Sequence, residues 1–412
     1  MLRWDEGSDE ATEFRPSPLE SATRINLALS ADPTRLLGRT TPMHKPRLFA
    51  AVAGGLFCAA GGTAYSQTCA DLGVPVNGHP NYQERAVHVL TNAVRIAPQQ
   101  YRDTYLNAPS ILMPGTYPAV GPLSWSYTLN QSGRAHATGM ASTPGCQFRH
   151  DSCDGTSWST RIHAYYNDSQ SIAENIAAGQ TSPLSVMSAW LLDNVGGVPA
   201  PDGSSGDGHR RNIMNGNYAA VGHGYATGTN QYTRYWVQDF GGVIPTNARC
   251  RPVSSASHII QGSTVNFLAT FYDLANQPPQ STEVVVNGVA HLLTLHLGTA
   301  ARGTYRFQSP STGSCRSYHF VFRDAAGTIT RYPIRGDLRT TTEGGCTETF
   351  IDSAPEPCSA DFDNSGTVAV PDIFAFLSAW FAGQPAANFD GAGGVTVPDI
   401  FAFLSEWFAG CP

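Results

Sequence analysis

The sequence predicts an α+β domain, then a β-sandwich, then a small all-α tail. Three observations carry this order. Residues 69–250 mix helical and strand periods. Residues 251–350 read as short alternating strands broken by turn residues. From residue 358 a segment recurs almost unchanged after 27 residues.

In the first region, Ala86, Val89, Leu90, Ala93 and Val94 recur at helical spacing between Tyr82 and Ile96, and Pro98 closes the run. Further helices are predicted from Leu129 to Met140 and from Pro183 to Leu192. Tyr232 to Phe240 is aromatic and β-branched, so it reads as a strand. Val221 to Tyr225 is its predicted hairpin partner. Helices with antiparallel strands in one domain imply α+β layering. In the second region, strands are predicted at Val265–Tyr272, Glu283–Gly288, Thr304–Phe307, Ser317–Phe322 and Thr328–Tyr332. An Asn287-Gly288 turn signal ends the second of them. This spacing suggests an immunoglobulin-like sandwich. The region shows no chemical constellation and reads as a spacer or binding module. Ser353 to Pro357 lies in a short linker at 351–357.

Hydrophobic residues make up 41% of the chain, enough for real cores, whereas charged residues make up only 14%. The formal charge of −7 excludes a nucleic-acid partner, which requires a basic surface. Residues 43–66 read as a secretory signal: a basic start at Met43–Arg47, an apolar run from Leu48 to Gly62, and small residues around Ala64-Tyr65-Ser66. The run is too short and glycine-rich for a comfortable membrane span. Residues 1–42 form a polar leader that does not suit a signal, so translation is expected to begin at Met43. The expected location is extracellular, with attachment to a cell surface or scaffold.

Nine cysteines occur, and Cys58 falls inside the signal. The eight that remain suit an oxidised framework. Chain order, with each domain closing on itself, pairs Cys69 with Cys250, Cys146 with Cys153, Cys315 with Cys346, and Cys358 with Cys411.

Four ordered blocks in 69–250 resemble the CAP superfamily of cysteine-rich secretory and pathogenesis-related proteins, including its bacterial subgroup. They are Leu129-Asn130 with Ala135-His136-Ala137; Phe148-Arg149-His150; Ala173-Glu174-Asn175-Ile176-Ala177; and Trp190 with Gly208-His209-Arg210-Arg211-Asn212-Ile213-Met214, closing at Tyr235–Phe240. Pro122–Trp125 sits where the family has its entry motif. The resemblance implies an α-β-α sandwich around a central antiparallel sheet. It also implies a cleft with two histidines and two acids, here His150, His209, Glu174 and, in place of the usual longer acid, Asp193. Two imidazoles with a carboxylate suit Zn²⁺ and leave a position for water. The competing reading is a buried His150–Glu174 pair that only holds the cleft loops. An insertion from Asn194 to Gly208 is expected to be an extended loop beside the cleft. His136 is expected to pack as a helix residue, and His223 has no assigned role. Ser152, Ser157 and Ser159 lack a nucleophile elbow, so a serine hydrolase is not expected. No close carboxylate pair suits glycoside hydrolysis.

The repeat runs from Val370 to Gly383 and again from Val397 to Gly410. A loop precedes each copy. The first offers Asp361, Asp363, Ser365, Thr367 and Asp372 with Gly366, at the spacing of an EF-hand calcium loop. The second offers Asn388, Asp390 and Asp399 and lacks a side-chain ligand at its fifth position, so it is expected to bind calcium more weakly. Two such units in residues 358–412 resemble dockerin domains, in particular those ending in Gly-Cys, as here in Gly410-Cys411. The resemblance implies calcium and a cohesin-like or other extracellular anchor as partner. Ile373, Phe376, Leu377 and Trp380 share one helical face, widened by Phe374 and Phe381, and this Phe/Trp face is the expected docking surface. Two functions follow. One is a binding protein whose cleft takes a lipid, peptide or glycan and whose tail docks. The other is a metal-dependent extracellular hydrolase presented by the same tail.

Overall fold

The computed structural model describes residues 73–244, 252–325, 328–340, 346, 350–351, 360–363, 368–389 and 394–409. The leader, the signal, most of the linker, Cys69, Cys250, Cys358, Cys411, Ser365, Thr367 and Asp390 lie outside the described residues, and with them the 69–250 and 358–411 pairings.

The first domain contains α1 (Tyr82–Ile96), α2 (Pro98–Tyr101), β1 (Ser124–Trp125), α3 (Tyr127–Ser142), α4 (Trp158–Tyr165), β2 (Ile172–Ala178), α5 (Pro183–Leu192), β3 (Asn194–Val195), β4 (Val198–Pro199), α6 (Gly208–Met214), β5 (Ala220–Thr227) and β6 (Arg234–Gly241). Asn81 and Glu84 start α1 as a reciprocal capping box. The sheet order is β1-β5-β6-β2. It is antiparallel throughout except that β1 pairs with β5 in parallel, a departure from the expected all-antiparallel sheet.

Strand alternation sorts the two layers. Ala173, Ala177, Trp236 and Phe240 pack in one core with α1 and α5. Ile176, Tyr235 and Val237 pack in another with Ala137, Met140 and Ala141 of α3. α3 lies directly on the backbone of β5. A Cβ at Gly222 would meet Asn130 N at 2.0 Å, and one at Gly224 would meet the Gly133 carbonyl carbon at 2.1 Å.

The second region forms two sheets: β7 (Val253–Gln261), β8 (Thr264–Tyr272), β9 (Ser281–Val286), β10 (Val289–Leu292), β11 (Thr294–Thr299), β12 (Arg302–Pro310), β13 (Ser317–Arg323), β14 (Ile329–Tyr332), β15 (Asp337–Arg339) and β16 (Phe350–Ile351). One sheet runs β10-β9-β13-β15-β16, with β14 also on β13. The other runs β11-β12-β8-β7. Phe267, Phe271, Val284, Phe320 and Phe322 share the core they enclose. The Cys315–Cys346 bridge forms here, and Cys146–Cys153 forms in the first domain.

This region does not behave as a spacer. It covers the outer side of α1, where Arg85 and Asn92 are buried, while His88, Thr91 and Arg95 are buried against the first domain itself. Tyr82 stacks on His258 with ring centroids 4.5 Å apart. Asn92 Nδ2 donates to Ser255 Oγ at 3.0 Å, and the Gly298 amide donates to Gln100 Oε1 at 2.6 Å. Ile259, Leu268 and Leu297 join the first domain's core. The periodic polar positions of α1 gave no warning of this second cover.

In the tail, α7 (Val370–Phe381) and α8 (Val397–Ala409) are the two repeat helices. Phe376 and Phe403 stack 4.2 Å apart with ring planes 2° from parallel. The expected docking face therefore divides. Phe376 is fully buried, Ile373, Leu377 and Trp380 pack around it, and this stripe is the tail's own core. Phe374, Phe381, Phe401 and Phe408 stay 67%, 78%, 68% and 75% exposed on the other side.

Candidate functional site

The alternation of β2 makes Glu174 and Asn175 point to opposite faces of the sheet. Glu174 goes to the α3 side. His150 Nδ1 lies 2.9 Å from its Oε1, and Arg161 of α4 donates to its other oxygen. Arg161 also donates to the His150 carbonyl at 2.9 Å and to Ser152 Oγ at 3.0 Å, so one buried guanidinium fixes both the acid and the loop carrying the histidine. The Cys146–Cys153 bridge closes that loop. Burial pushes the Glu174 carboxyl up. The hydrogen bond from His150 and the positive charge nearby outweigh it and hold the group below the usual carboxylate range.

Asn175, on the other face, anchors α6. Its Nδ2 donates to the His209 carbonyl at 3.2 Å, and its Oδ1 accepts from Asn212 Nδ2 at 2.9 Å. His209 Nδ1 lies 2.5 Å from Asp193 Oδ1, while Asp193 Oδ2 accepts the Arg210 amide at 3.0 Å. Asp193 can reach both because it ends α5 in the left-handed region, at φ 47°. The shorter acid thus reaches its histidine. The four residues form two pairs, His150–Glu174 and Asp193–His209, and Asn175 and Asn212 link β2, which carries Glu174, to α6, which carries His209.

The carboxylates stand behind the rings, at Nδ1, and not beside them as third donors. Among the described residues, the one trio of His, Cys, Asp or Glu ligand atoms within 4.8 Å of one another is Asp361, Asp363 and Asp372. The cleft instead offers two Nε2 atoms, each on a ring oriented by a carboxylate, which is how a metal-bound histidine is usually supported.

The insertion is not a loose loop. β3 and β4 pair within it. Asp202 accepts the Leu112 and Met113 amides at 3.1 and 2.7 Å and pairs with the fully buried Arg210 at 3.0 Å. Asp207 accepts from Tyr117 and from the Gly203 amide. These acids spend their charge on holding the segment down.

Arg161, Ser132 and Asp239 were not singled out in the sequence. Asp239 is the direct cross-strand partner of Glu174 and is fully buried. Burial, and then the Glu174 charge, drive its pKa well above the usual carboxylate range. A close carboxyl pair therefore exists, but both members are buried. Its signal was an acid in the same register as Tyr235 and Val237; the pairing itself could not be read without the strand register. His136 is a packed helix residue, as expected. It bonds the Arg149 carbonyl at 2.9 Å through Nε2, and burial lowers its pKa to about 4. His223 is buried against Trp125 and His88.

In the tail, Asp372 Oδ1 accepts the Asp363 amide at 3.1 Å and its Oδ2 accepts the Ala369 amide at 2.7 Å, tying the first loop to the start of α7. Asp399 does the same for Thr396 at 2.6 Å. Among the described residues, Asn388 Oδ1 has no hydrogen-bond partner.

Residues 88–240 match the family model described as CAP, cysteine-rich secretory protein family. The uncharacterized protein YkwD of Bacillus subtilis is 28% identical over 116 residues, which are 28% of this chain and 39% of that protein, so the chain spans well under half of this relative's length. Among solved structures, similarity is found to an extracellular SCP-domain protein of Bacillus anthracis str. Ames, with 21% identity over 30% of this chain and 35% of that one and a TM-score of 0.24. An outer surface protein of Borrelia burgdorferi matches with 21% identity over 30% of this chain and 80% of that one, TM-score 0.24. Venom allergen-like protein 4 of Schistosoma mansoni matches with 16% identity over 41% of this chain and 96% of that one, TM-score 0.25. The family match spans every residue of both cleft pairs, and residues 88–240 are a domain of the cysteine-rich secretory protein family.

Proposed function

We propose that the chain is an extracellular, scaffold- or surface-attached binding protein: its CAP cleft holds a ligand and its tail docks in a calcium-dependent manner. The observation that carries this is the pair of histidines whose Nδ1 atoms are engaged by Glu174 and Asp193. That leaves two oriented Nε2 atoms to meet a ligand. The extracellular reading is supported by the two disulfides and by the signal-like segment. No helix among the described residues is long and apolar enough to cross a membrane. The calcium reading rests on Asp361, Asp363 and Asp372 converging, with Asn388 and Asp399 supplying the second loop. The four exposed phenylalanines are the surface offered to an anchor protein such as a cohesin-like partner.

The second reading, a metal-dependent hydrolase, is favoured by the carboxylate behind each histidine. His150 and His209 are the residues that would hold Zn²⁺, and a bound zinc would acidify water. Metal analysis and calorimetry on the purified chain test both readings. Stoichiometric zinc lost in His150→Ala/His209→Ala supports the metal site, and no zinc in the parent protein removes the hydrolase. Calcium heat reduced more by Asp361→Ala/Asp363→Ala than by Asn388→Ala is the expected ranking. Calcium heat unchanged by both variants would overturn the tail assignment.

A further inference from the structure

Asp193 is held by more than its histidine. It ends α5 in the left-handed region, at φ 47°, a conformation that a non-glycine residue keeps where its surroundings enforce it. The enforcing residue is Arg210, the third of α6. Its amide donates to Asp193 Oδ2 at 3.0 Å. An N-cap side chain ordinarily accepts that bond. The residue at the N-cap itself, Asp207, makes no such bond. Its carboxylate accepts from Tyr117, the Gly203 amide and Arg211 instead. Asp193 thus caps α6 from the end of another helix. The wholly buried Arg210 guanidinium then grips the backbone on both sides of Asp193. It donates to the Leu191 and Ala200 carbonyls, each at 2.5 Å, and pairs with Asp202 at 3.0 Å. The Ala200 amide closes on the Leu192 carbonyl at 3.1 Å. The hairpin of β3 and β4 is therefore buckled at its base, and His209 Nδ1 lies 2.5 Å from the other oxygen of the residue held there. Buried ion pairs add little net stability over apolar packing, and fixing one geometry among several is their best-attested use.

We propose that Arg210 and Asp202 are positioning residues, a buckle through which the 194–207 segment fixes the tautomer of His209 and so decides which ring nitrogen the cleft presents. The inference rests on the reading above, that the cleft histidines meet the ligand. With Asp193 accepting the Nδ1 proton, Nε2 keeps its lone pair for a metal ion or for a donor on the ligand. Slack in the buckle frees Asp193 from the ring. The Nδ1–H form then loses its acceptor, and the proton divides between the two nitrogens. His150 lies outside this circuit, because its partner is Glu174 on β2, held by Arg161 of α4. The segment between α5 and α6 thereby governs one of the two histidines alone.

The test reads ring tautomers by NMR in the full chain carrying ¹⁵N-labelled histidine, at about pH 8, where an ordinary imidazole is neutral. The chain has 12 histidines, so His150 and His209 are assigned by glutamine substitution. The parent is expected to hold His209 in the Nδ1–H form. In Asp202→Ala the ratio of Nδ1–H to Nε2–H at His209 is expected to fall by about fivefold or more, the lower end of ordinary coupling, with His150 unchanged. Asp202→Asn keeps an acceptor and drops the charge, and is expected to give a smaller fall. An Nε2–H ring at His209 in the parent overturns the buckle, as does an unchanged ratio in folded Asp202→Ala or an equal change at His150. If Asp202→Ala fails to fold, Asp202→Asn decides: a fall at His209 alone supports the buckle, and no change overturns it. Titration of the parent with Zn²⁺ keeps the two readings apart. If both Nε2 resonances stay in place, the metal reading of the cleft fails, while the tautomer ratios still decide the buckle.

Discussion

Gly224 is on β5 because α3 leaves no room for a side chain: a Cβ there would overlap the Gly133 carbonyl at 2.1 Å and its oxygen at 2.2 Å. The obstruction is backbone, so no rotamer change relieves it. Gly224→Ala is expected to cost about 3 kcal/mol or more, at the upper end for overpacking. Urea unfolding measures it, and a loss under about 1 kcal/mol would show that α3 can move away. His88 carries a different liability. It is fully buried, and burial, offset only in part by its bond to the Leu123 carbonyl, lowers its pKa to about 4. The unfolded chain takes up a proton there near pH 6.5. Stability is therefore complete above about pH 6.5 and falls as the pH drops toward 4, by on the order of 3 kcal/mol from this group. His223 and His258, also lowered by burial, add the same sign. Urea midpoints measured between pH 8 and 4.5 should decline steadily on the acid side, whereas a flat profile would contradict the neutral buried state.

At the scale of elements, the segment between α5 and α6 shows where charge is spent. Asp202 neutralises Arg210, which is wholly buried and also donates to the Leu191 and Ala200 carbonyls at 2.5 Å. Removing one partner of such a pair costs about 3–5 kcal/mol. Asp202→Ala is expected to destabilise the chain by about that amount and to open residues 194–207 to limited proteolysis. Asp202→Asn, which still accepts the Leu112 amide, should fall between. Equal protease resistance in all three proteins would mean that the segment is held by something else. The sequence announced α1 and α5 to the residue and six strands within two, because apolar period and proline boundaries decide those locally; β2, β7 and β11 went unannounced. It also named His150, Glu174, Asp193 and His209. It did not announce Arg161 or Asp239, whose roles depend on which strand lies beside β2 and which helix crosses it. Nor did it announce the fate of the tail's Phe/Trp stripe. Heptad-like spacing marks a face as apolar, but only the second helix shows that this face is already covered.

For the molecule as a whole, α1 is the common wall of two domains. Ending the chain at residue 250 would uncover the side of α1 that meets β7 and β8, and would remove Ile259, Leu268 and Leu297 from the core. Arg85 and Asn92 would lose their cover as well. A fragment ending at 250 is expected to be insoluble, or to unfold at markedly lower denaturant than one ending at 351. Equal midpoints for the two would show that the sheets add nothing to the first domain.

The bond from Asn92 to Ser255 spans 163 positions of the chain. Such distant pairings must wait for their partners and are slow to form. Until the second region has emerged, α1 has only one of its two walls, and the first domain cannot reach its final form. By placing the last support of its first helix so far along the chain, the fold makes completion of its first domain wait for the second.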